Sequence, residues 1–293
     1  MTVPRKEAPF PSFTAKWHTT SYPAIDSSSD KNSARTKNVV ITGGGSGIGA
    51  ATALSFARAD ANSIALLGRT ESKLLQTKAT IAKAYPRTKV TTHIADVTTA
   101  TEVDHAFSAI SKEFGTLDVL VNNAGLGDIG PVIKDADIDF WMNNMNTNVK
   151  GSLHVVQAFL RHAVSDATVV NIASLASFIP LMGGISAYAV SKAASVALFS
   201  ALQVENPELR VVNLQPGVVE TEMNRKSGLP GLDDVSLPAD FAVWLTSKEA
   251  AFTKGKYLFA NWDVDEMVQR AKEISVNGTL EMWIEGLEHK ATS

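Results

Sequence analysis

Seven short β-branched or aliphatic runs recur along the chain from Asn38 onward, each separated from the next by a longer segment of mixed character. The runs are NVVIT (38–42), SIALL (63–67), KVTTHI (89–94), LDVLV (117–121), ATVVNI (167–172), LRVVNL (209–214) and KYLFA (256–260). Runs of this length and composition predict buried strands, whereas GIGAATALSFARA and ESKLLQTKATIAKAY carry apolar residues at three-to-four spacing and predict helices. The alternation predicts an α/β fold with a seven-stranded parallel sheet, helices on both faces and right-handed crossovers.

The chain divides into three parts by pattern. Residues 1–37 are rich in Pro, Ser, Thr and Lys and form a predicted irregular arm, residues 38–262 form a single α/β domain, and residues 263–293 form a C-terminal helical extension. The arm carries Phe10, Phe13, Trp17 and Tyr22, too many aromatic residues for a wholly solvated tail. We therefore expect part of the arm to lie against the body or a partner subunit.

Composition and charge exclude several classes of function. The 293 residues are 45% hydrophobic, carry a formal net charge of −3 with scattered basic residues, and include no cysteine. Nucleic-acid binding, polybasic membrane binding, thiolate metal sites and cysteine nucleophiles are thereby disfavoured, and no metal site is predicted. No apolar run approaches about 20 residues, and the N-terminus lacks a secretory pattern, so a soluble, cytoplasmic protein is expected.

A glycine-rich turn follows the first predicted strand directly. The chain reads T-G-G-G-S-G-I-G from Thr42 to Gly49 and continues into an alanine-rich predicted helix. Such a turn forms a pyrophosphate site, because the backbone can approach the phosphates closely and the helix N-terminus favours an anion. Gly43 permits the tight turn, Gly47 the approach to the phosphates and Gly49 the packing of helix on strand. The sequence therefore predicts a dinucleotide cofactor in a doubly wound, Rossmann-type fold.

The ends of the second and third predicted strands bear on which dinucleotide binds. An acidic residue after the second strand would accept the ribose 2′-hydroxyl of NAD, but this chain has Gly68 followed by Arg69. A guanidinium can pair with a 2′-phosphate, so NADP(H) is expected rather than NAD(H). Alternatively, Arg69 is a solvated loop residue neutralised by Glu71. After the third strand come Asp96 and Val97, and Asp96 could accept from the adenine amine or cap the next helix.

The fourth predicted strand ends in N-N-A-G, from Asn122 to Gly125. A glycine there lets the backbone lie against a cofactor. An asparagine side chain at a strand end can brace the neighbouring strands by hydrogen bonds. Both features are expected along the edge of the sheet where a cofactor would lie.

Tyr188 and Lys192 lie in a Y-A-V-S-K run within an alanine-rich predicted helix after the fifth strand. Residues i and i+4 share one face of a helix, so the ammonium is held beside the phenol. A neighbouring cation stabilises the phenolate and lowers the tyrosine pKa from its ordinary value of about 10. The pair therefore predicts a proton donor and acceptor that works at neutral pH.

Two serines and an asparagine are further candidates for chemistry. Ser174, directly at the end of the fifth strand, is expected to hydrogen-bond the substrate oxygen beside the tyrosine, and Ser177, farther into the loop, is the alternative. Asn148 falls inside a long predicted helical segment over residues 138–163, where asparagine is unfavourable. A bulge that frees its carbonyl to hold a water beside Lys192 would explain its presence, although three other asparagines share the segment.

These motifs, in this order, resemble the signature set of the short-chain dehydrogenase/reductase family. The set comprises T-G-G-G-S-G-I-G, N-N-A-G, the N-x-x-G of residues 148–151, Ser174, Y-A-V-S-K and the P-G-V-V-E-T of residues 216–221, and it spans about residues 36–262. Two further stretches, H-T-T-S-Y-P-A-I (18–25) and K-Y-L-F-A-N-W-D-V (256–264), resemble those of filamentous-fungal members. The 14-residue interval from Ser174 to Tyr188 is one residue longer than is usual in the family.

The resemblance implies an Asn148–Ser174–Tyr188–Lys192 tetrad in which Tyr188 is the acid/base and Lys192 also holds the nicotinamide ribose. It implies contacts from two residues, Val219 and Thr221, to the nicotinamide carboxamide. It also implies a homodimer or homotetramer. The complete predicted cofactor site comprises Gly43, Gly45, Ser46, Gly47, Ile48, Arg69, Asp96, Val97, Asn123, Ala124, Gly125, Tyr188, Lys192, Pro216, Gly217, Val219 and Thr221.

The predicted substrate pocket is apolar and rich in methionine, which suits a lipophilic carbonyl compound or alcohol. Residues 222–238, punctuated by Gly and Pro, form a candidate lid over it. The sequence thus predicts an NADP(H)-dependent oxidoreductase that interconverts a ketone or aldehyde and an alcohol. The alternatives are a non-redox cyclase, dehydratase or isomerase on the same scaffold, and an NADP(H)-binding regulator, against which the intact tetrad argues. The predicted wall comprises Leu175, Phe178, Met182 and Met223, with Trp141, Met145, Ile179, Pro180 and Leu181 nearby.

Overall fold

The computed structural model describes residues 9–10, 12–179, 182–228, 230–276 and 278–282. Its strands are β1 (Asn38–Thr42), β2 (Ser63–Gly68), β3 (Lys89–Ile94), β4 (Leu117–Asn122), β5 (Ala163–Ile172), β6 (Arg210–Gln215) and β7 (Tyr257–Phe259). Its α-helices are α1 (Gly47–Arg58), α2 (Glu71–Ala84), α3 (Ala100–Phe114), α4 (Ile138–Met145), α5 (Gly151–Leu160), α6 (Ser186–Glu205), α7 (Glu222–Ser227), α8 (Ser236–Trp244), α9 (Val264–Gln269) and α10 (Ala271–Ile274). The residues of the predicted segments that lie outside the described ones are 1–8, 11, 180–181, 229, 277 and 283–293.

The seven strands form one parallel sheet in the order β3-β2-β1-β4-β5-β6-β7. β1 pairs with β2 on one side and with β4 on the other, so the chain reverses its direction of strand addition between β1 and β4. In open α/β sheets the carboxyl ends of the strands diverge at such a point and leave a crevice for a ligand. The predicted fold class, a doubly wound parallel sheet of seven strands, is confirmed.

Side chains along β1 alternate between two hydrophobic cores, one on each face of the sheet. Val39 and Ile41 belong to the core that is covered by α1, α2 and α8, whereas Val40 belongs to the core that is covered by α3 and α5. Because both faces are covered, all five residues of β1 are buried, and the strand reads as a continuous apolar run. This burial explains why the apolar runs of the sequence located the strands.

The long helix predicted over residues 138–163 is wrong in two respects. It is divided into α4 and α5 by a π-helical segment, Asn146–Lys150, and it ends early: α5 stops at Leu160, a turn follows, and Ala163 is already the first residue of β5. A π-helical segment inserts one extra residue per turn and commonly occurs at functional sites. The concentration of asparagines, which are poor residues for a helix interior, marks this segment in the sequence.

A ladder of three buried asparagines joins the central strands at their carboxyl ends. Asn122 of β4 is in register with Asn171 of β5, which is in register with Asn213 of β6. The Asn122 amide donates to the Asn171 side-chain oxygen at 3.0 Å, and the Asn171 amide donates to the Asn213 oxygen at 2.8 Å. Buried amides cost little when they are hydrogen-bonded. The prediction that an asparagine braces neighbouring strand ends is confirmed for Asn122, and the ladder fixes the residues that follow each strand.

The described part of the N-terminal arm packs against the α1/α2/α8 side of the sheet and the start of the C-terminal extension. Ile25 is fully buried, and Trp17 forms an antiparallel bridge with Trp262. The Tyr22 hydroxyl donates to the Trp262 carbonyl at 2.9 Å and accepts from the Val264 amide at 2.9 Å. The arm and the segment after β7 therefore stabilise each other.

A buried ion pair also connects the arm to the body. Asp240 of α8 is fully buried, and both of its carboxylate oxygens accept from the Arg58 guanidinium at 2.7 Å. Ser21 and Ser27 of the arm donate to the same carboxylate at 2.5 and 2.9 Å. Every oxygen of this buried charge therefore has partners, as a buried carboxylate requires.

Among the described helices, α6 is long and apolar enough to cross a bilayer when judged by length and composition alone. Core helices of α/β proteins pass the same test. In this fold α6 packs beside β6 and α4, and its residues Ser191, Lys192 and Ser195 are buried within the protein.

Candidate active site

The glycine turn between β1 and α1 has the geometry that a pyrophosphate requires. Gly43 and Gly47 have φ values of +67° and +52°, a region that side chains other than glycine rarely adopt. A Cβ on Gly49 would lie 2.3 Å from the Gly43 carbonyl oxygen, so the first turn of α1 can pack against the loop only as glycine. Ser46 and Gly47 are exposed at the N-terminus of α1, where an anion is favoured.

Hydrogen bonds hold this turn against the N-N-A-G run after β4. The Thr42 hydroxyl accepts from the backbone amides of Asn123 and Ala124, each at 2.9 Å. The side-chain amide of Asn123 donates in return to the Thr42 carbonyl at 2.9 Å. The two walls of the crevice between β1 and β4 are therefore held at a fixed separation. That Thr42 links the two walls was not predicted from the sequence, although its place at the end of β1, at the start of the glycine motif, could have indicated it.

Arg69 and Asp96 meet at the ends of β2 and β3. The Arg69 side chain is 71% exposed, and its guanidinium lies 3.6 Å from the Asp96 carboxylate, so the acidic neighbour of Arg69 is Asp96 rather than Glu71. Asp96 accepts from the backbone amide and the hydroxyl of Thr98 at 2.8 and 2.7 Å. Burial raises the pKa of Asp96, but these hydrogen bonds and the Arg69 charge outweigh it, and the pKa lies below its ordinary value. An exposed ion pair of this kind contributes at most about 1 kcal/mol, so a competing anion can displace it.

Tyr188 and Lys192 lie one turn apart on α6, as their spacing predicts. The Lys192 side chain is buried, and its Nζ atom donates to the Ile172 carbonyl at the end of β5 at 2.7 Å. The same Nζ lies 6.0 Å from the centre of the Tyr188 ring. A Cβ on Gly125 would lie 3.7 Å from Nζ, so the N-N-A-G run also borders this ammonium group.

The pKa shifts at this pair differ from the prediction. Burial lowers the pKa of the Lys192 ammonium to about 8. Burial raises the pKa of the Tyr188 phenol above its ordinary value, and a hydrogen bond with the Ser174 hydroxyl opposes that rise. The predicted lowering of the Tyr188 pKa by Lys192 is therefore wrong for this structure. The physical reason is that Nζ is directed at the Ile172 carbonyl and desolvation dominates at the phenol.

Of the two candidate serines, Ser174 is the one that reaches Tyr188. Ser174 caps a short 3₁₀ helix, Leu175–Ser177, and its hydroxyl accepts from the Ala176 amide at 3.2 Å. Its own proton remains available for donation toward the phenol or a substrate oxygen. Ser177 is buried, and its hydroxyl donates to the Ser174 carbonyl at 2.7 Å, which is a supporting contact.

Asn148 lies in the π-helical segment, so the predicted break in the helix is present. Its side chain accepts from the Leu126 amide and donates to the Leu126 carbonyl, both at 2.8 Å, and also donates to the Ser191 hydroxyl at 2.8 Å. Its carbonyl accepts from the Ser152 hydroxyl at 2.7 Å. The carbonyl therefore already has one partner, and a carbonyl oxygen retains a second lone pair for a water. In this structure Asn148 fastens the loop after β4 to α6.

The candidate lid brings Met223 onto the tyrosine. A Cβ on Gly127 would lie 2.8 Å from the Met223 sulfur and 3.2 Å from the Tyr188 ring, so these three residues are packed together. Thr221 caps α7 by accepting from the Asn224 amide, and its methyl group would lie 3.3 Å from a Cβ on Gly47. The segment from β6 to α7 therefore covers both the phenol and the glycine turn. Gly127 was not predicted, although it continues the N-N-A-G run by only two residues.

A cavity of about 430 Å³ lies over the glycine turn between α1, α2 and α7. Its rim is closed by an ion pair between Lys73 of α2 and Glu222 of α7, 2.8 Å long. The tetrad does not line this cavity. Its lining comprises Gly45, Ser46, Gly47, Ala50, Leu54, Lys73, Gln76, Thr77, Thr80, Glu220, Thr221, Glu222 and Arg225.

The predicted substrate-pocket residues differ in exposure: three of them are exposed, and one is buried in the core. Phe178, Met182 and Met223 are exposed apolar side chains, at 44%, 43% and 37%. Leu175, by contrast, is buried in the α1/α2/α8 core, so it presents no surface to a ligand and is corrected to a core residue. Pro180 and Leu181 lie outside the described residues. The remaining predicted cofactor residues, which flank the turn and the strand ends, are Ile48 on α1, Val97 after β3, and Pro216, Gly217 and Val219 after β6.

This arrangement defines a class of protein: a nucleotide-binding α/β enzyme with a glycine turn at the reversal point of the sheet and a serine, tyrosine and lysine beside it. The family profile described as short chain dehydrogenase matches residues 37–229. The curated protein Short chain dehydrogenase mpl6 of Monascus purpureus is 32% identical over 273 residues, with 89% of this chain and 92% of that protein covered. Short chain dehydrogenase/reductase AacuD of Aspergillus aculeatus is 33% identical over 264 residues, with 87% and 90% covered.

Solved structures agree with this assignment. The short-chain dehydrogenase/reductase from Serratia marcescens superposes with a TM-score of 0.71 at 26% identity, with 77% of this chain and 96% of that chain covered. A short chain dehydrogenase from Burkholderia cenocepacia, solved in complex with NADP, superposes with a TM-score of 0.70 at 27% identity, with 76% and 95% covered. This chain belongs to the short-chain dehydrogenase/reductase family and is an oxidoreductase of that family, whose members use NAD(H) or NADP(H) with a small-molecule substrate.

Proposed function

We propose that the protein is an NADP(H)-dependent reductase that interconverts a ketone or aldehyde and an alcohol on a lipophilic small molecule. The observation that carries the proposal is the convergence of Ser174, Tyr188 and Lys192 at the end of β5, beside the crevice that the glycine turn borders. Exposed apolar side chains on the loop after β5 and on the candidate lid, chiefly Phe178 and Met223, favour a lipophilic substrate over a charged one.

The residues around the crevice fit a dinucleotide. A side chain at Gly43 or Gly49 would fill the space that a pyrophosphate needs, and the exposed N-terminus of α1 favours its charge. Arg69, largely exposed at the end of β2, is suited to a 2′-phosphate and favours NADP(H). Lys192 and Tyr188 would hold the nicotinamide ribose. The nicotinamide, when bound, supplies the hydride that the substrate carbonyl carbon accepts.

The protein's own groups manage the proton. The Ser174 hydroxyl donates a hydrogen bond to the carbonyl oxygen, and the Tyr188 hydroxyl transfers its proton to that oxygen as the carbon is reduced. The buried Lys192 ammonium, 6.0 Å from the centre of the Tyr188 ring, is the cationic neighbour of the phenolate that remains. Because burial raises the Tyr188 pKa, the phenol is protonated at neutral pH and can act as the proton donor.

The test is NADPH consumption, followed by absorbance, with a panel of hydrophobic ketones and aldehydes. Tyr188→Phe should lower kcat by at least ~100-fold, because it removes the proton donor while it keeps the ring. Tyr22→Phe, which removes another buried tyrosine hydroxyl whose partners are the Trp262 carbonyl and the Val264 amide, is the matched control and should retain the activity. Tight NADPH binding without turnover on any carbonyl would count against the proposal and favour a non-redox or regulatory protein.

A homodimer or homotetramer and a cytoplasmic location remain part of this proposal. Size-exclusion chromatography coupled to light scattering would measure the subunit number directly.

A further inference from the structure

The backbone of Ser174 is fixed by an unusual number of donors. Its carbonyl oxygen accepts from the Ser177 amide at 2.9 Å, from the Ser177 hydroxyl at 2.7 Å and from the Tyr257 hydroxyl at 2.9 Å. The first two donors are local, because they come from the next turn of the same loop. The third comes from β7, the last strand of the sheet, 83 residues farther along the chain.

Tyr257 is held so that its hydroxyl can point only at this loop. The residue is 6% exposed, and its ring packs edge-on against Phe178, with 5.1 Å between ring centres and an interplanar angle of 80°. The Phe259 ring, two residues along the same face of β7, lies 5.9 Å away at 64°. Packing on two sides fixes the ring, so the hydroxyl has a fixed direction when it donates to Ser174.

The Ser174 hydroxyl depends on the orientation of this backbone. It accepts from the Ala176 amide at 3.2 Å, which leaves its own proton available for donation. On its other side lies Tyr188, and the interaction with the Ser174 hydroxyl lowers the pKa of that phenol. A rotation of the Ser174 peptide would therefore move a catalytic hydroxyl, and displacements of about 1 Å in such a group cost up to ~100-fold in rate.

We propose that Tyr257 is a positioning residue for catalysis: its hydroxyl, by donating to the Ser174 carbonyl, holds the Ser174 hydroxyl in place against Tyr188. The inference rests on the proposed reductase function. Tyr257 contacts the backbone of a catalytic residue and acts through it, whereas Ser177 supplies the local part of the same support. Tyr257 was absent from the residues predicted from the sequence, because nothing in a strand residue's spacing indicates a partner 83 positions away.

The kinetic test compares Tyr257→Phe with Ser174→Ala and with the double variant. Tyr257→Phe keeps the ring that packs on Phe178 and removes only the hydroxyl. It should lower kcat about 10-fold while the Kd for NADPH stays within about 2-fold of the wild type, since the misplaced group acts on the reacting oxygen. In the Ser174→Ala background the same change should cause no further loss of kcat, because the group that it positions is gone.

The matched control is Tyr22→Phe, which removes a buried hydroxyl of the arm whose two backbone partners are Trp262 and Val264. It should lower the melting temperature and leave kcat unchanged. A wild-type kcat in Tyr257→Phe, or an equal loss of kcat in the presence and absence of the Ser174 hydroxyl, would overturn the inference.

A second measurement is independent of turnover and therefore separates this inference from the proposed function. The chain has only four tyrosines, so tyrosine labelled isotopically at Cζ gives four NMR signals, and the Tyr188 signal is the one that disappears in Tyr188→Phe. The Ser174 hydrogen bond lowers the Tyr188 pKa. Titration of Tyr257→Phe should therefore give a higher Tyr188 pKa than the wild type, as in Ser174→Ala. An unchanged Tyr188 pKa in Tyr257→Phe would overturn the inference, even if no substrate were found. A raised Tyr188 pKa in a protein that turns over no substrate would instead count only against the reductase function.

Discussion

Lys192 is expected to support activity at the expense of stability, and Lys192→Met separates the two. Burial lowers the pKa of its ammonium from 10.5 to about 8. Since one pKa unit corresponds to about 1.4 kcal/mol, keeping this charge buried at neutral pH costs about 3 kcal/mol. Methionine fills a similar volume without a charge, but it leaves the Ile172 carbonyl without its donor, at a cost of about 1 kcal/mol. The net expectation is a variant about 2 kcal/mol more stable, with a melting temperature about 4 °C higher and with kcat abolished.

The pH dependence of this gain gives a sharper test. The folded-state pKa of Lys192 lies below its unfolded value, so the unfolded chain binds more protons between about pH 8 and 10.5. Wild-type stability therefore contains a contribution that is lost as pH falls through about 8 and restored as pH rises toward 10.5. Lys192→Met lacks this group, and its advantage over the wild type should be largest at pH 7 and should shrink by pH 9.5.

Chemical denaturation at several pH values measures this difference. Lys256→Met is the matched control, because Lys256 is equally buried but donates to the Val276 carbonyl at 3.0 Å and pairs with Glu281 at 2.6 Å. The same substitution there should destabilise the fold, since it removes an ion pair as well as a charge. A Lys192→Met variant that is less stable than the wild type at pH 7, or an advantage that is constant from pH 7 to 9.5, would refute the reasoning.

Two further predictions concern charges elsewhere in the molecule. Arg58→Met should destabilise the fold by about 3 kcal/mol in urea titration, because it leaves the fully buried Asp240 carboxylate with only serine donors. The Arg58 side chain is one-third exposed, so the expected loss lies at the lower end of the range for buried ion pairs. A change below about 1 kcal/mol would contradict this role. Arg69→Ala should raise the Kd for NADPH about 10-fold in calorimetric titration and leave the Kd for NADH unchanged, since only NADPH carries a 2′-phosphate. Equal weakening of both cofactors would assign Arg69 no part in selectivity.

The sequence predicts the sheet almost completely. Burial on both faces makes β1 an uninterrupted apolar run, whereas β3, a partly exposed edge strand, is marked by its β-branched residues. The run NVVIT coincides with β1, and KVTTHI coincides with β3. Local motifs also place the glycine turn beside N-N-A-G, and Tyr188 beside Lys192, because these depend on the ends of adjacent strands or on one helical turn. The errors occur where a local pattern is ambiguous: the 138–163 segment has the composition of a helix, but a π-helical segment divides it, and the helix ends at Leu160, three residues early.

Long-range partners and solvation are the features that the sequence does not indicate. The Arg58–Asp240 pair joins residues 182 positions apart, and the Tyr257–Ser174 contact joins residues 83 apart. The pKa of Tyr188 depends on how far burial outweighs its hydrogen bonds, which no spacing rule supplies.

Transfer of deuterium tests the central claim most directly. The wild-type protein is incubated with NADPH that carries deuterium at the transferred position of the nicotinamide and with a hydrophobic ketone that supports NADPH consumption. Mass spectrometry of the product should find one deuterium on the former carbonyl carbon in the wild type and no labelled alcohol with Tyr188→Phe. An alcohol without deuterium, or equal labelling by Tyr188→Phe, would contradict hydride transfer assisted by Tyr188.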